Sequence, residues 1–135
     1  MEKFWAGGFL YNPKNKTILL HQRDFKTKFN PGKWAFFGGL NQKSESPKDC
    51  FIRELKEELG INIQTEQIKP VRDYLNKEFN TYRYVFYVES DLAKSAMTLK
   101  EGADFSWIDI SKIAQYDLTQ KTSLDLKFFL KNIIN

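Results

Sequence analysis

Apolar residues recur along this chain at two periods, and the change from one to the other separates strands from helices. Alternation and short apolar runs mark residues 3–11 and 17–23, divided by Asn12-Pro13-Lys14-Asn15-Lys16. Such a pair around turn formers predicts a hairpin. Gly7 and Gly8 interrupt the first strand, where a bulge is expected. After a polar loop over residues 25–32, residues 33–37 predict a short strand that feeds Gly38 and Gly39. Residues 68–75 and 81–89 predict two more strands around a turn near 76–80, and residues 103–108 another. Tyr82, Tyr84, Phe86 and Val88 share one face, while Val85 and Tyr87 make the other apolar too. A strand covered on both sides is implied. Residues 91–100 read as a loop.

The helical period appears twice. Phe51, Ile52, Leu55 and Leu59 form one stripe, preceded by Ser46 as a cap, Pro47 for the first turn and Asp49 at the capping-box position, and followed by Gly60 as a stop. Leu126, Phe129, Leu130, Ile133 and Ile134 form a second stripe and predict a closing helix over 123–134 that packs on a sheet. Strands on both sides of one central helix, with a second helix at the end, predict a single mixed α/β layered domain over residues 1–135.

The face of the first helix opposite its apolar stripe carries the chemistry. At about 100° per residue, Glu54, Glu57 and Glu58 stand at i, i+3 and i+4 and share one face. Like charges so placed cost roughly 0.2–0.5 kcal/mol per pair, which a purely structural helix has no reason to bear. Three carboxylates without cysteine or histidine partners form an oxygen-only site, suited to a hard cation such as Mg²⁺ or Mn²⁺ rather than to structural zinc.

Composition adds bounds. With 41% hydrophobic and 16% aromatic residues, 135 residues suffice for one core. A net charge of +4 and a pI near 9.1 favour phosphate-bearing partners. The lysines are scattered and show no DNA-binding motif, so a small nucleotide is expected, with RNA left open and no DNA partner. No stretch approaches membrane-spanning length, nothing resembles a signal peptide, and the single Cys50 fits a reducing, cytoplasmic setting. Cys50 reads as a small buried hydrophobe and the lone His21 as structural.

Residues 39–61 resemble the Nudix box: Gly39, five residues, Glu45, seven residues, then Arg53-Glu54-Leu55-Lys56-Glu57-Glu58-Leu59-Gly60-Ile61. The resemblance implies an α/β/α sandwich with a mixed sheet and an enzyme that hydrolyses a nucleoside diphosphate linked to another group, using Mg²⁺ with Mn²⁺ as substitute. It implies Glu57 and Glu58 as metal ligands and Glu54 as ligand or general base. Arg53 would orient a box carboxylate, Gly39 would permit the turn, and a carbonyl of Gly38 or Gly39 would contact the metal. Glu101, in Lys100-Glu101-Gly102, looks like the family's additional acidic position, a further ligand or alternative base, with Asp104 its competitor. Glu45 would tie the loop to the helix or join the outer metal shell.

Substrate is less specified. Trp34, Phe36 and Phe37 precede the box, and Trp5, Tyr82 and Tyr84 stand on predicted strands, so an aromatic surface could stack a base. Arg23, Lys28 and Arg83 are candidates for phosphate. Phe37 stands where many family members have proline. The coenzyme A signature is incomplete, and the proline that accompanies ADP-ribose activity is missing. A MutT-like nucleoside triphosphate pyrophosphohydrolase is the favoured expectation, as a monomer or homodimer. Nucleotide sugars, coenzyme A, RNA 5′ ends and a non-catalytic nucleotide sensor are the alternatives.

Overall fold

A computed structural model describes residues 3–134. Seven strands form one mixed sheet: β1 (Phe4–Asn12), β2 (Thr17–Gln22), β3 (Trp34–Ala35), β4 (Phe37–Leu40), β5 (Ile68–Asn76), β6 (Thr81–Glu89) and β7 (Asp104–Asp109). The main path runs β3-β2-β1-β6-β5, with β4 on β1 and β7 on β2. Helix α1 (Pro47–Leu59) covers one face and α2 (Gln120–Asn132) the other. This is the expected sandwich.

Strand β1 organises the sheet. One edge pairs in parallel with β6 from Phe4↔Tyr82 to Tyr11↔Glu89, while the other is divided between β4, at residues 5–8, and β2, at residues 10–12. The pairing with β6 is continuous, so the bulge expected at Gly7 and Gly8 does not form. Close approach explains these glycines instead. A Cβ at Gly8 would strike the carbonyl of Phe86, and one at Gly7 the carbonyl of Phe37 and the Trp5 ring. The sheet's bulge lies between Pro70 and Arg72 of β5, where proline has no N–H for the ladder.

Side chains of β1 alternate between two cores. Ala6 and Leu10 join Phe37, Phe51, Leu55 and Leu59 beneath α1, whereas Phe9 and Tyr11 join Phe36, Leu126 and Phe129 beneath α2. The Phe129 ring meets Phe9, Tyr11 and Tyr87 edge-on at 4.8, 5.4 and 4.9 Å. Burying one such ring contributes roughly 1.5–3 kcal/mol. The two cores fix which face of each helix is left for chemistry.

The ends of α1 follow their predicted signals. Ser46 Oγ accepts the Asp49 N–H at 3.1 Å, Pro47 stands in the first turn, and Gly60 takes the left-handed conformation with φ 71°. Helix α2 starts three residues before the predicted 123 because Thr119 caps it, accepting the Thr122 N–H.

Candidate active site

Gly39, expected to permit a turn, is with Gly38 a strand residue of β4, opposite Ala6 and Gly7. Their bare backbone admits the carboxylates of α1. The Gly38 N–H donates to Glu58 Oε2 at 3.1 Å, and a Cβ at Gly39 would collide with the Glu54 carboxylate. Glu58 is buried, 9% exposed, and its carboxyl is pushed up to about 8, first by burial and then by Glu54 and Glu101. Glu54 is also raised, by burial first, against the opposing pull of Arg53 and with the help of Glu57. Burial among like charges disfavours the ionised form of both.

A single guanidinium spans this face. Arg53 grips Glu45 with two nitrogens, Nε to Oε2 and Nη2 to Oε1 at 3.1 Å. Its Nη1 donates to Glu54 Oε2 at 3.2 Å and to Glu57 Oε2 at 3.1 Å, and Nη2 reaches the Leu40 carbonyl at 3.2 Å. The turn before α1 is thereby tied to the helix, since Glu45 Oε1 also accepts the Gln42 N–H at 2.8 Å. The bond from Arg53 holds the Glu45 carboxyl below its ordinary range. Two parallel N–H···O contacts give such a fork both strength and direction.

Cys50 beneath this clamp is buried, and burial foremost pushes its thiol up to about 12. It is a neutral thiol that donates weakly to the Gly39 carbonyl at 3.6 Å. His21, packed on the Phe37 ring at 5.0 Å, is pushed down to about 4 by burial and then by Arg23.

Glu101 reaches the same face through a device with no local sequence signal. The last carbonyls of a helix lack partners within it. Here the Lys100 N–H donates to the Glu58 carbonyl at 3.0 Å and the Thr98 N–H to the Leu59 carbonyl at 3.1 Å. On its other side, Gly102 has φ +100° and lies tight against the Gln22 carbonyl, while the Ala103 N–H bonds that carbonyl at 2.8 Å. Held between two anchors, Glu101 raises the proton affinity of both Glu54 and Glu58. Asp104 is engaged elsewhere, with Lys94 at 3.3 Å and the Phe105 N–H at 2.8 Å.

Among the described residues, no three acidic, cysteine or histidine side chains are gathered as a ready metal cage. Arg53 holds Glu54 and Glu57 in its place. The donor set still fits a hard cation, because Glu54, Glu57, Glu58 and Glu101 share one region with a single cation among them, and all offer oxygen.

The expected substrate residues divide. Phe37 has no exposed surface and Phe36 only 4%; they are core residues on opposite faces of the sheet. Buried on opposite sides of the sheet, the two rings could not form one platform. Trp34 is half-buried, edge-on to Tyr116 at 5.3 Å. Tyr82 is exposed and donates to Asp73 at 2.7 Å. Arg23 Nε bonds the Phe29 carbonyl at 3.0 Å.

Arg83 belongs to a second charged cluster that sequence reasoning did not find. Its guanidinium lies 4.0 Å from the Trp5 ring centroid, and its Nε donates to Asp125 Oδ2 at 3.0 Å. Asp125, fully buried on α2, also accepts from Arg72 Nε at 3.0 Å and the Tyr74 hydroxyl at 2.8 Å. A signal was present: Thr122, Asp125, Leu126 and Phe129 share the inward stripe of α2, and a carboxylate in such a stripe needs partners.

Known proteins agree with this architecture. Residues 3–129 match the NUDIX domain. Nucleoside triphosphatase NudI of Escherichia fergusonii is 34% identical over 113 residues, covering 74% of this chain and 79% of that protein. Among solved structures, MutT from a study of Aliivibrio salmonicida and Vibrio cholerae aligns with a TM-score of 0.76 at 20% identity, over 97% of this chain and 99% of that one. The NUDIX domain of Shewanella oneidensis NrtR, complexed with ADP ribose, aligns with a TM-score of 0.75 at 16% identity, over 98% and 88%. These likenesses at low identity speak to the fold, whereas the match over residues 3–129 and the complete box over residues 39–61 fix the family: the chain belongs to the Nudix hydrolases, which act on phosphoanhydrides.

Proposed function

We propose that this protein hydrolyses a nucleoside triphosphate to the nucleoside monophosphate and pyrophosphate, with Mg²⁺ as cofactor and Mn²⁺ as substitute. The observation that carries the reading is the charge imbalance on α1. Glu58 is buried beside Glu54 and Glu101 with its proton affinity raised, and among the described residues Arg53 is the one cation bonded into the group. A divalent cation relieves that imbalance, and polyphosphate supplies the remaining oxygens. The relative in Escherichia fergusonii, whose name is nucleoside triphosphatase, supports the substrate class.

Glu57, Glu58 and the Gly39 carbonyl are the residues that would hold the cation, with Glu101 as a further oxygen. A cation held by these residues would supply positive charge to the phosphate oxygens and make an attacking water more acidic. Glu54 takes the proton from the attacking water, a role suited to a carboxylate whose proton affinity is raised. Arg53 holds Glu54 and Glu57 in place and anchors them to Glu45. Arg23, Trp34 and Tyr82 are the candidates for substrate contact, whereas Arg83 is buried and committed to Asp125. The protein would act on a small nucleotide in the cytoplasm, as a monomer or homodimer.

The test is product analysis with each nucleoside triphosphate and Mg²⁺, for the parent and for Glu57→Gln. Monophosphate and pyrophosphate are expected, with the rate reduced about 100-fold or more in the variant, beyond the 10- to 100-fold typical of outer-shell changes. Release of diphosphate and orthophosphate would place the attack at the wrong phosphorus. A Glu57→Gln rate equal to the parent's would remove its metal role.

A further inference from the structure

We propose that Trp5 is a positioning residue for the cation site: its indole, fixed on the α2 side of the sheet, holds the backbone of Gly38 and Gly39 against the glutamates on the α1 side. This rests on the cation site proposed above and names its support on the opposite face. Gly38 and Gly39 present the groups that the site uses. The Gly38 N–H donates to Glu58 Oε2 at 3.1 Å, and the Gly39 carbonyl accepts the Cys50 thiol at 3.6 Å. Consecutive strand positions face opposite ways, and these two follow that rule. A Cβ at Gly39 would meet the Glu54 carboxylate, whereas one at Gly38 would lie 2.7 Å from Trp5 Cζ2. The same two residues are therefore touched by α1 on one side and by Trp5 on the other.

Sequence makes room for this contact. Gly38 stands opposite Gly7 across the pair of β4 with β1, and neither has a side chain to cover the α2 face there. The edge of the indole formed by Cζ2 and Cη2 fills the trough, since it also lies where a Cβ of Gly7 would be. Ladder hydrogen bonds hold β4 within the sheet, but displacement across the sheet is opposed by what packs on its two faces. Glycine adds no stiffness of its own. At this point of the strand the indole supplies it.

The ring is itself pinned. Trp5 packs against the α2-side core and is the register partner of Arg83 on β6. The Arg83 guanidinium lies 4.0 Å from the ring centroid, where the ring's negative face attracts it. Arg83 is fixed in turn, because its Nε donates to Asp125 Oδ2 at 3.0 Å and Asp125 is fully buried. Contacts thus run without a break from Asp125 through Arg83 and Trp5 to Gly38 and Glu58. Phenylalanine at position 5 would keep a ring for Arg83 yet fall short of the glycines, since Cζ2 and Cη2 belong to the outer ring of the indole.

Mn²⁺ alone, titrated into the full chain and read by electron paramagnetic resonance, reports the cation site without turnover. In Trp5→Phe its affinity is expected to fall about 10-fold, the lower end of what groups supporting metal ligands contribute, while circular dichroism shows the fold retained. Equal affinity in the parent and in Trp5→Phe overturns the positioning role and leaves the cation site standing. A parent that binds no Mn²⁺ removes the cation site and the role of Trp5 with it. Loss of affinity in Trp5→Phe, beside a parent that hydrolyses no nucleoside triphosphate, upholds the positioning and rejects that substrate. A second measurement needs no change at position 5. In protein labelled with 5-fluorotryptophan, which leaves Cζ2 and Cη2 unsubstituted, the Trp5 fluorine resonance is assigned by elimination with Trp34→Phe and Trp107→Phe. It is expected to shift as Mg²⁺ binds and to stay in place in Glu58→Gln. A Trp5 resonance that does not move while Mg²⁺ saturates the parent also overturns the proposal.

Discussion

The sheet separates two charged clusters built to opposite ratios. On the α1 side, Arg53 bonds Glu45, Glu54 and Glu57, while Glu58 and Glu101 add acid to the same face with no ion pair of their own among the described residues. Beneath α2, the single carboxylate of Asp125 is bonded by Arg72, Arg83 and Tyr74. The surplus arginine charge of the second cluster lies over aromatic faces, Arg83 on Trp5 at 4.0 Å and Arg72 on Tyr74 at 4.6 Å, where the ring quadrupole attracts it. That cluster is complete as it stands. The first is not: burial beside Glu54 and Glu101 disfavours the charged form of Glu58, which keeps its proton for want of a cation.

The largest expected effect tests the completeness of the Asp125 side. Asp125→Ala leaves two guanidinium groups without their carboxylate, Arg83 deeply and Arg72 partly buried. Breaking a buried pair from one side costs about 3–5 kcal/mol, read as a fall in the denaturant midpoint. Asp125→Asn keeps acceptor oxygen and should lose less. If Asp125→Ala were as stable as the parent, the two clusters would not differ in the way described.

A smaller effect, of opposite sign, is expected from the glutamate side. The folded state raises Glu58 from 4.5 to about 8, so between those values the unfolded chain has lost a proton that the folded one keeps. Without divalent cation, this group's contribution to stability is present below about 4.5 and lost as pH rises through about 8, on the order of a few kcal/mol. Thermal unfolding in chelator should show that decline. Glu58→Gln should flatten it, and Mg²⁺ should restore stability to the parent above pH 8. His21, pushed down to about 4, gives the reverse slope on the acid side, and comparison with Glu58→Gln cancels it.

These two clusters were unequally legible in the sequence. Glu54, Glu57 and Glu58 share a face by helical period alone, and the ends of α1 were given by Ser46, Pro47 and Gly60. Such features depend on neighbours within a turn or two. Asp125 depends on β5 and β6, whose Arg72, Tyr74 and Arg83 lie 42 to 53 residues away. The glycines failed as local signals for the same reason. Gly7 and Gly8 suggested a bulge and Gly39 a turn, but these glycines and Gly38 answer to partners distant in sequence: Phe37, Phe86, Glu54 and Trp5 in turn. Phe36, in the break between β3 and β4, and Phe37, at the start of β4, went to two different cores, one on each face of the sheet. Glu101 was visible as an acid, yet its approach to the site rests on Thr98 and Lys100 capping α1.

The smallest effect sharpens how the incomplete cluster is held open. Arg53 is shared: two of its nitrogens serve Glu45, and Nη1 serves Glu54 and Glu57. The Glu45 grip keeps the guanidinium at the edge of the acidic face, so that a cation competes only with the Nη1 contacts. Glu45→Gln removes one charge from the clamp while preserving its shape. Arg53 then turns more fully to Glu54 and Glu57, and the apparent Mg²⁺ affinity should fall severalfold, toward the 10-fold that a supporting group commonly contributes. Stability should change less than in Asp125→Ala, because glutamine keeps an acceptor oxygen for Arg53 and the guanidinium retains Glu54 and Glu57. Magnesium titration of the hydrolysis rate, beside thermal unfolding, separates the two. A loss of stability without a change in magnesium dependence would make Glu45 a structural tie and nothing more.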